Sequence, residues 1–134
     1  MVKRKLGQGQ EPGLKLTRQQ KGRLGEEAAC QWLREHDYRI IRQNWRCRSG
    51  EIDIIASCEG LIIFVEVRSR SGSARYGTPQ ESVDLRKMQQ VRSTASVYLQ
   101  MTGETERQIR FDVIAVMLDQ AGEMVSVNHI VNAF

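Results

Sequence analysis

A chain of 134 residues, 40% apolar and 27% charged, has room for one core and too little for two comfortable ones. No apolar run approaches the ~20 residues needed to span a bilayer, and the basic start MVKRKLGQGQEPGLKLTRQQKGR has no apolar stretch behind it, so it does not read as a secretory signal. The net charge of +4 is uneven: residues 1 to 23 hold seven Lys or Arg against the single acid Glu11, which leaves the rest of the chain slightly acidic.

The first 16 residues, with Gly, Gln, Lys and one Pro but few large apolar groups, read as a flexible basic arm ahead of a domain over 17–134. Thr17 with Gln20 three residues on is a capping box, which predicts a helix to about His36. Leu24, Ala28, Trp32 and Leu33 share one stripe of that helix, and Glu26 and Glu27 lie in its middle. Tyr38 to Arg48 reads as an irregular strand in which Arg39, Arg42, Arg46 and Arg48 surround Trp45. That pattern suits phosphate backbone and base stacking, and equally a solvated edge strand.

Glu51 to Ala56 and Leu61 to Arg68 are clear strands, and the short SCEG between them predicts an antiparallel hairpin. SRSGSARYGT reads as a loop whose Arg70 and Arg75 are well placed to touch a backbone. Thr78, Pro79 and Glu81 mark a helix start, with Ser82 or Asp84 as a second cap. This helix runs to about Gln100 and buries Met88, Val91, Ala95, Tyr98 and Leu99, while Gln89 and Gln90 face solvent. Ile109 to Met117 and Met124 to Asn128 are further strands, joined by DQAGE. Tyr98 and the methionines suit the core, His36 a helix end, and His129 C-terminal packing. Cys30, Cys47 and Cys58 have neither CxxC nor zinc-like spacing and read as reduced thiols of a cytoplasmic protein. The order of elements predicts an α/β fold: a single mixed sheet containing the hairpin, flanked by helices.

Inside the hairpin, alternation puts Glu51, Asp53 and Ile55 on one face of the first strand, and Ile52, Ile54 and Ala56 on the other. In the second strand Ile62, Phe64, Glu66 and Arg68 share a face. A four-residue loop sets Glu66 diagonal to Asp53; a two-residue loop, Glu59-Gly60, sets them directly opposite. Both gather Glu51, Asp53, Glu66 and Arg68 at the open end of the hairpin. Facing carboxylates repel, so one protonates or a cation joins them. Two readings follow: a charge network in which Arg68 neutralises Glu66, or a site for Mg²⁺ or Mn²⁺, which oxygen donors without sulfur or imidazole suit. A cation so held suits phosphodiester cleavage.

The segments GRLGEEAACQWL, NWRCRSGEIDIIA, FVEVRSR, YGTPQESVDLRKMQQV, RFDVIAV and NAF, from Gly22 to Phe134, resemble the YraN-like family of small bacterial proteins. That family falls within the PD-(D/E)xK superfamily of restriction endonuclease-like and Holliday junction resolvase-like folds. The resemblance implies Asp53 and Glu66 as the metal-holding pair, with Glu26 bringing a further acid from the first helix. Ile52 stands at the motif's Pro and Arg68 at its Lys. An Arg clamps a phosphate but does not readily accept a proton. Lys87, four residues before the buried Val91, borders the sheet and is the candidate to take over the lysine's role. Glu51 either supports the metal or pairs with Arg68 or Arg48. Asp112, at a strand start, either reaches the site edge or caps a local turn, the structural reading being favoured.

The implied function is a metal-dependent nuclease hydrolysing DNA phosphodiester bonds, including those of branched or structured DNA. Asp53, Glu66, Arg68 and Lys87 are its catalytic set, and Trp45, Arg46, Arg48, Arg70 and Arg75 its nucleic-acid contacts. A homodimer is one arrangement superfamily resolvases use, although no interface is legible here. The alternative is a nucleic-acid-binding module that keeps the nuclease-like fold without turnover, which Arg68 at the motif lysine favours. A third reading is a protein-interaction scaffold.

Overall fold

Thr17 Oγ1 accepts the Gln20 N–H at 3.0 Å, and Gln20 Oε1 accepts the Thr17 N–H at 2.8 Å. This closed capping box opens helix α1, Arg18–Glu35, which ends at His36. Asp37 then turns the chain in the left-handed region (φ 68°). The computed structural model describes residues 16–71 and 85–134. After α1 come β1 (Arg39–Cys47), β2 (Gly50–Cys58), β3 (Leu61–Ser71), α2 (Leu85–Thr102), β4 (Ile109–Leu118) and β5 (Met124–Ile130). The strands form one sheet in the order β1-β2-β3-β4-β5. Only the β3–β4 pair is parallel, and α2 lies in the connection between them. The mixed α/β sheet is the predicted one.

The hairpin takes the shorter of its two possible loops. Glu59 (φ 50°) and Gly60 (φ 84°) are both left-handed, as a two-residue turn matched to strand twist requires. Pairing runs from Cys58↔Leu61 to Ile54↔Val65, so the next step of this register sets Asp53 opposite Glu66. β3 is longer than expected. Ser69, Arg70 and Ser71, assigned to a loop by their composition, pair with Val116, Met117 and Leu118 because β4 supplies a partner over that length. Arg75 and the helix-start signature Thr78, Pro79, Glu81, Ser82 and Asp84 lie outside the described residues, as does the basic arm up to residue 15. Leu16 is buried.

Each face of the sheet carries its own core. Ala29, Cys30 and Leu33 of α1 meet Ile54, Ala56, Ile63, Val65, Ile114, Val116 and Leu118. Val91, Ala95, Tyr98 and Leu99 of α2 meet Ile55, Ile62, Phe64 and Phe111 on the other side. The buried stripe of α1 therefore centres on Gly25, Ala29, Cys30 and Leu33, with Leu24, Ala28 and Trp32 at its margin. Small residues at its centre let the helix come close to the sheet. Ile52 does not join Ile54 and Ala56 as alternation predicts, but packs with Ile55 on the α2 side. The break falls where Asn44, left-handed at φ 52°, stands between the pairs Gln43↔Ile54 and Trp45↔Ile52. Register is kept across Asn44, and the bulge of this strand pair lies apart from it, between Ile40 and Arg42. Met101 and Met124 are exposed, not core, because one lies in the last turn of α2 and the other opens edge strand β5.

Asp112 lies within β4 and is fully buried. It accepts from Arg110 Nε and Nη2 at 2.9 and 2.8 Å, and from the Asn132 N–H at 2.9 Å. His129 Nε2 stands 2.7 Å from Asp112, and Trp32 Nε1 stands 3.3 Å from His129 Nδ1. An indole N–H only donates, so Nδ1 accepts and Nε2 carries the proton given to Asp112. Arg110 also reaches Tyr38 Oη at 2.8 Å. His129 thus belongs to a polar network rather than to simple packing, and Asp112 is structural.

Candidate functional site

At the open end of the hairpin, backbone pairing gives way to a side chain. Asp53 Oδ2 accepts the Val67 N–H at 2.8 Å, one residue past the point opposite Asp53. Glu66 is 3% exposed, and its Oε2 lies 3.0 Å from Lys87 Nζ and 3.7 Å from Arg68 Nη2. Lys87 reaches it from the first turn of the described part of α2, as its spacing from Val91 predicts. Three elements therefore deliver two carboxylates, a lysine and an arginine to one place.

Electrostatics tie in a fourth element. Burial, with the neighbouring Glu66, pushes the Asp53 carboxyl up to about 7, against the Val67 N–H and Lys87, which favour the anion. Glu26 on α1 adds to that upward push. Its own carboxyl is raised by burial and by Glu51 and Glu66, while a hydrogen bond with Asn44 opposes the rise. Glu51 turns to Arg46 at 3.1 Å, not to Arg68 or Arg48, because Arg46 and Glu51 are cross-strand partners. Arg68 Nε is buried with no hydrogen-bond acceptor among the described residues.

No group of three or more His, Cys, Asp or Glu stands close enough to hold a metal ion among the described residues. The fit to a metal is therefore that of two carboxylates. Mg²⁺ is compatible with so few protein ligands, since it keeps several waters and takes further oxygens from substrate phosphates. A cation would also offset the burial and the neighbouring Glu66 charge that raise the Asp53 carboxyl.

The expected nucleic-acid contacts are dispersed. Arg46 and Arg48 are exposed on and just after β1, and Arg70 is half-buried on β3. Trp45 is half-buried, its ring edge-on to Tyr98 at 5.3 Å between centroids, so part of its surface belongs to the α2-side core. Gln89 and Gln90 are exposed, and Gln90 Nε2 donates to the Ser49 carbonyl at 3.3 Å. Sequence reading missed a cleft of about 300 Å³ between α1 and β3, lined by Arg18, Lys21, Gly22, Glu26, Val67 and Ser69. The signal was available: positions 18, 21, 22 and 26 fall on one face of a helix.

Residues 25–116 match the model of the uncharacterised protein family UPF0102. Similar proteins, each described only as a UPF0102 protein, occur in Moorella thermoacetica, at 47% identity over 89% of this chain and 98% of the relative. Those of Pelotomaculum thermopropionicum and Persephonella marina are each 44% identical, over 84% and 85% of this chain and 93% and 92% of their own lengths. Glu26, Asp53, Glu66 and Lys87 all lie inside the span of the family model. No helix among the described residues is long and apolar enough to cross a membrane.

Proposed function

The chain belongs to the uncharacterised protein family UPF0102, and from that footing we propose that it is a metal-dependent nuclease that hydrolyses DNA phosphodiester bonds in the cytoplasm, branched or structured DNA included. The observation that carries the reading is Lys87 Nζ at 3.0 Å from Glu66 Oε2, beside the Asp53 carboxyl. It restores a lysine to a carboxylate pair whose own motif position holds Arg68.

In this reading Asp53 and Glu66 hold Mg²⁺ or Mn²⁺, with Glu26 in support. The cation supplies Lewis-acid activation of water and charge neutralisation on the phosphoryl oxygens. Asp53 would hold the cation as its carboxylate, with the Val67 N–H keeping Oδ2 oriented. Lys87 Nζ donates hydrogen bonds to the phosphoryl group as negative charge develops. Arg68, always protonated, adds fixed positive charge beside Glu66. A homodimer would place two such sites on two strands.

Calorimetry with Mg²⁺ and Mn²⁺ tests the site directly: wild type binds, and an Asp53→Asn, Glu66→Gln variant does not. Asp53→Ala is expected to abolish cleavage of duplex and branched DNA while circular dichroism shows the fold intact. Metal-dependent cleavage retained by a clean Asp53→Ala preparation would sink the assignment. Arg68 at the motif lysine favours a second reading, a binding module without turnover. Salt-sensitive DNA binding with no product under either metal would select it.

A further inference from the structure

Helix α1 has two glycines on the face that looks toward β3, and only one is explained by packing. Gly25 is buried, and a Cβ there would overlap Ser69 Oγ, so a larger residue would drive the helix off the strand. At Gly22 a Cβ would meet nothing within 4 Å among the described residues. A glycine inside a helix weakens it relative to alanine, and here no close contact requires one. What Gly22 leaves is room.

That room opens into the cleft of about 300 Å³ between α1 and β3. Arg18 and Lys21 line it, and among the described residues neither is within ion-pair distance of a carboxylate. Two of its lining residues neighbour the carboxylate site. Val67, which gives its N–H to Asp53, lines the cleft, as does Glu26. Two uncommitted cations and a bare stretch of helix, adjoining a carboxylate pair, suit a group that is anionic, compact and able to approach backbone closely.

We propose that this cleft is a phosphate subsite for a nucleic-acid strand, in which Arg18 and Lys21 hold a backbone phosphate next along from the group at Asp53 and Glu66, and Gly22 lets it lie against the helix. The inference rests on the reading of the carboxylate pair as a nucleic-acid site. It differs in what it demands: binding through the cleft needs neither metal nor turnover.

The test is the affinity of the full chain for labelled duplex DNA in a chelator, measured across a salt series. Gly22→Glu puts an acid at the cleft, its Cβ meeting nothing within 4 Å among the described residues, and Gly22→Ala separates the loss of glycine from the added charge. Gly22→Glu should weaken binding about tenfold and flatten the salt dependence, as removal of a phosphate contact does. An Arg18→Gln, Lys21→Gln double variant should do the same, while Gly22→Ala, whose methyl stands between phosphate and helix without adding charge, should weaken binding less than Gly22→Glu and leave the salt slope unchanged. A folded Gly22→Glu protein, or the double variant should the former not fold, that binds DNA as tightly as wild type overturns the subsite. If binding depends on the cleft yet no metal-dependent cleavage occurs, the nuclease reading fails and the subsite stands. A wild type that binds no DNA at low salt in the chelator overturns the subsite, and the nuclease reading is then decided by cleavage under Mg²⁺.

Discussion

Lys87 and Arg68 both reach Glu66 Oε2, at 3.0 and 3.7 Å, yet they have different chemistry to offer. The ammonium is compact and lies within hydrogen-bond distance, and it is one of the groups that hold the Asp53 carboxyl down against burial. The guanidinium is farther away, and its Nε lacks an acceptor among the described residues. If Lys87 serves the reaction rather than the metal, its removal separates binding from turnover. Lys87→Met should leave Mg²⁺ affinity equal or higher, because a repelling cation has gone. Cleavage should fall on the order of 10²–10³-fold, the usual loss when one charge-stabilising donor is removed. Lys87→Arg should recover part of the rate if the role is charge, and none if the ammonium must exchange a proton. Calorimetry beside single-turnover cleavage reads both. Parallel loss of affinity and rate would return Lys87 to a structural ion pair.

Within α1 the two glycines make a test of the element. Gly25→Ala should destabilise the protein by about 1–3 kcal/mol, since its Cβ meets Ser69. Gly22→Ala, with open space around it, should stabilise by about 0.5–1 kcal/mol. Opposite signs in chemical denaturation would establish that packing fixes one glycine and not the other. The same elements show how much was legible in the sequence. The capping box at Thr17 and the parity of the hairpin loop are local rules, so α1 and the Asp53–Glu66 juxtaposition could be read without a structure. Lys87 was readable too, because one helical turn from Val91 fixes the side it borders. Ile52 was not, since the break in alternation falls opposite a left-handed residue, Asn44, on the neighbouring strand. Nor was the Asp112 network: Trp32 and His129 are 97 residues apart, and no periodicity records such a pairing.

On the scale of the whole molecule, a half-buried carboxylate, Asp53, and a buried one, Asp112, set stability against pH in opposite directions. Glu66, beside Asp53, pairs toward α2, whereas Asp112 is bonded to residues that meet α1 and its continuation, so the two centres look to opposite faces of the sheet. Burial alone would raise Asp112, but the His129 and Arg110 hydrogen bonds and the Asn132 N–H overcome it and hold the carboxyl below 3.8. Its contribution is complete above that value and is lost as pH falls through the lower folded one. Asp53 runs the other way. Raised from 3.8 to about 7, it favours the fold below 3.8 and loses that contribution as pH climbs toward 7. Melting of the metal-free protein should therefore weaken on both sides of a mildly acidic optimum. Asp53→Asn should flatten the upper limb and leave the acid limb in place. Asp112→Asn should remove the acid limb and cost about 3 kcal/mol at neutral pH, because Arg110 would be left without its anion. Mg²⁺ added above pH 7 should raise the melting temperature of wild type and not of Asp53→Asn, since only the first gains a cation where it has lost a proton. An unchanged upper limb in Asp53→Asn would assign that limb to another group and separate the site carboxylate from the stability of the fold.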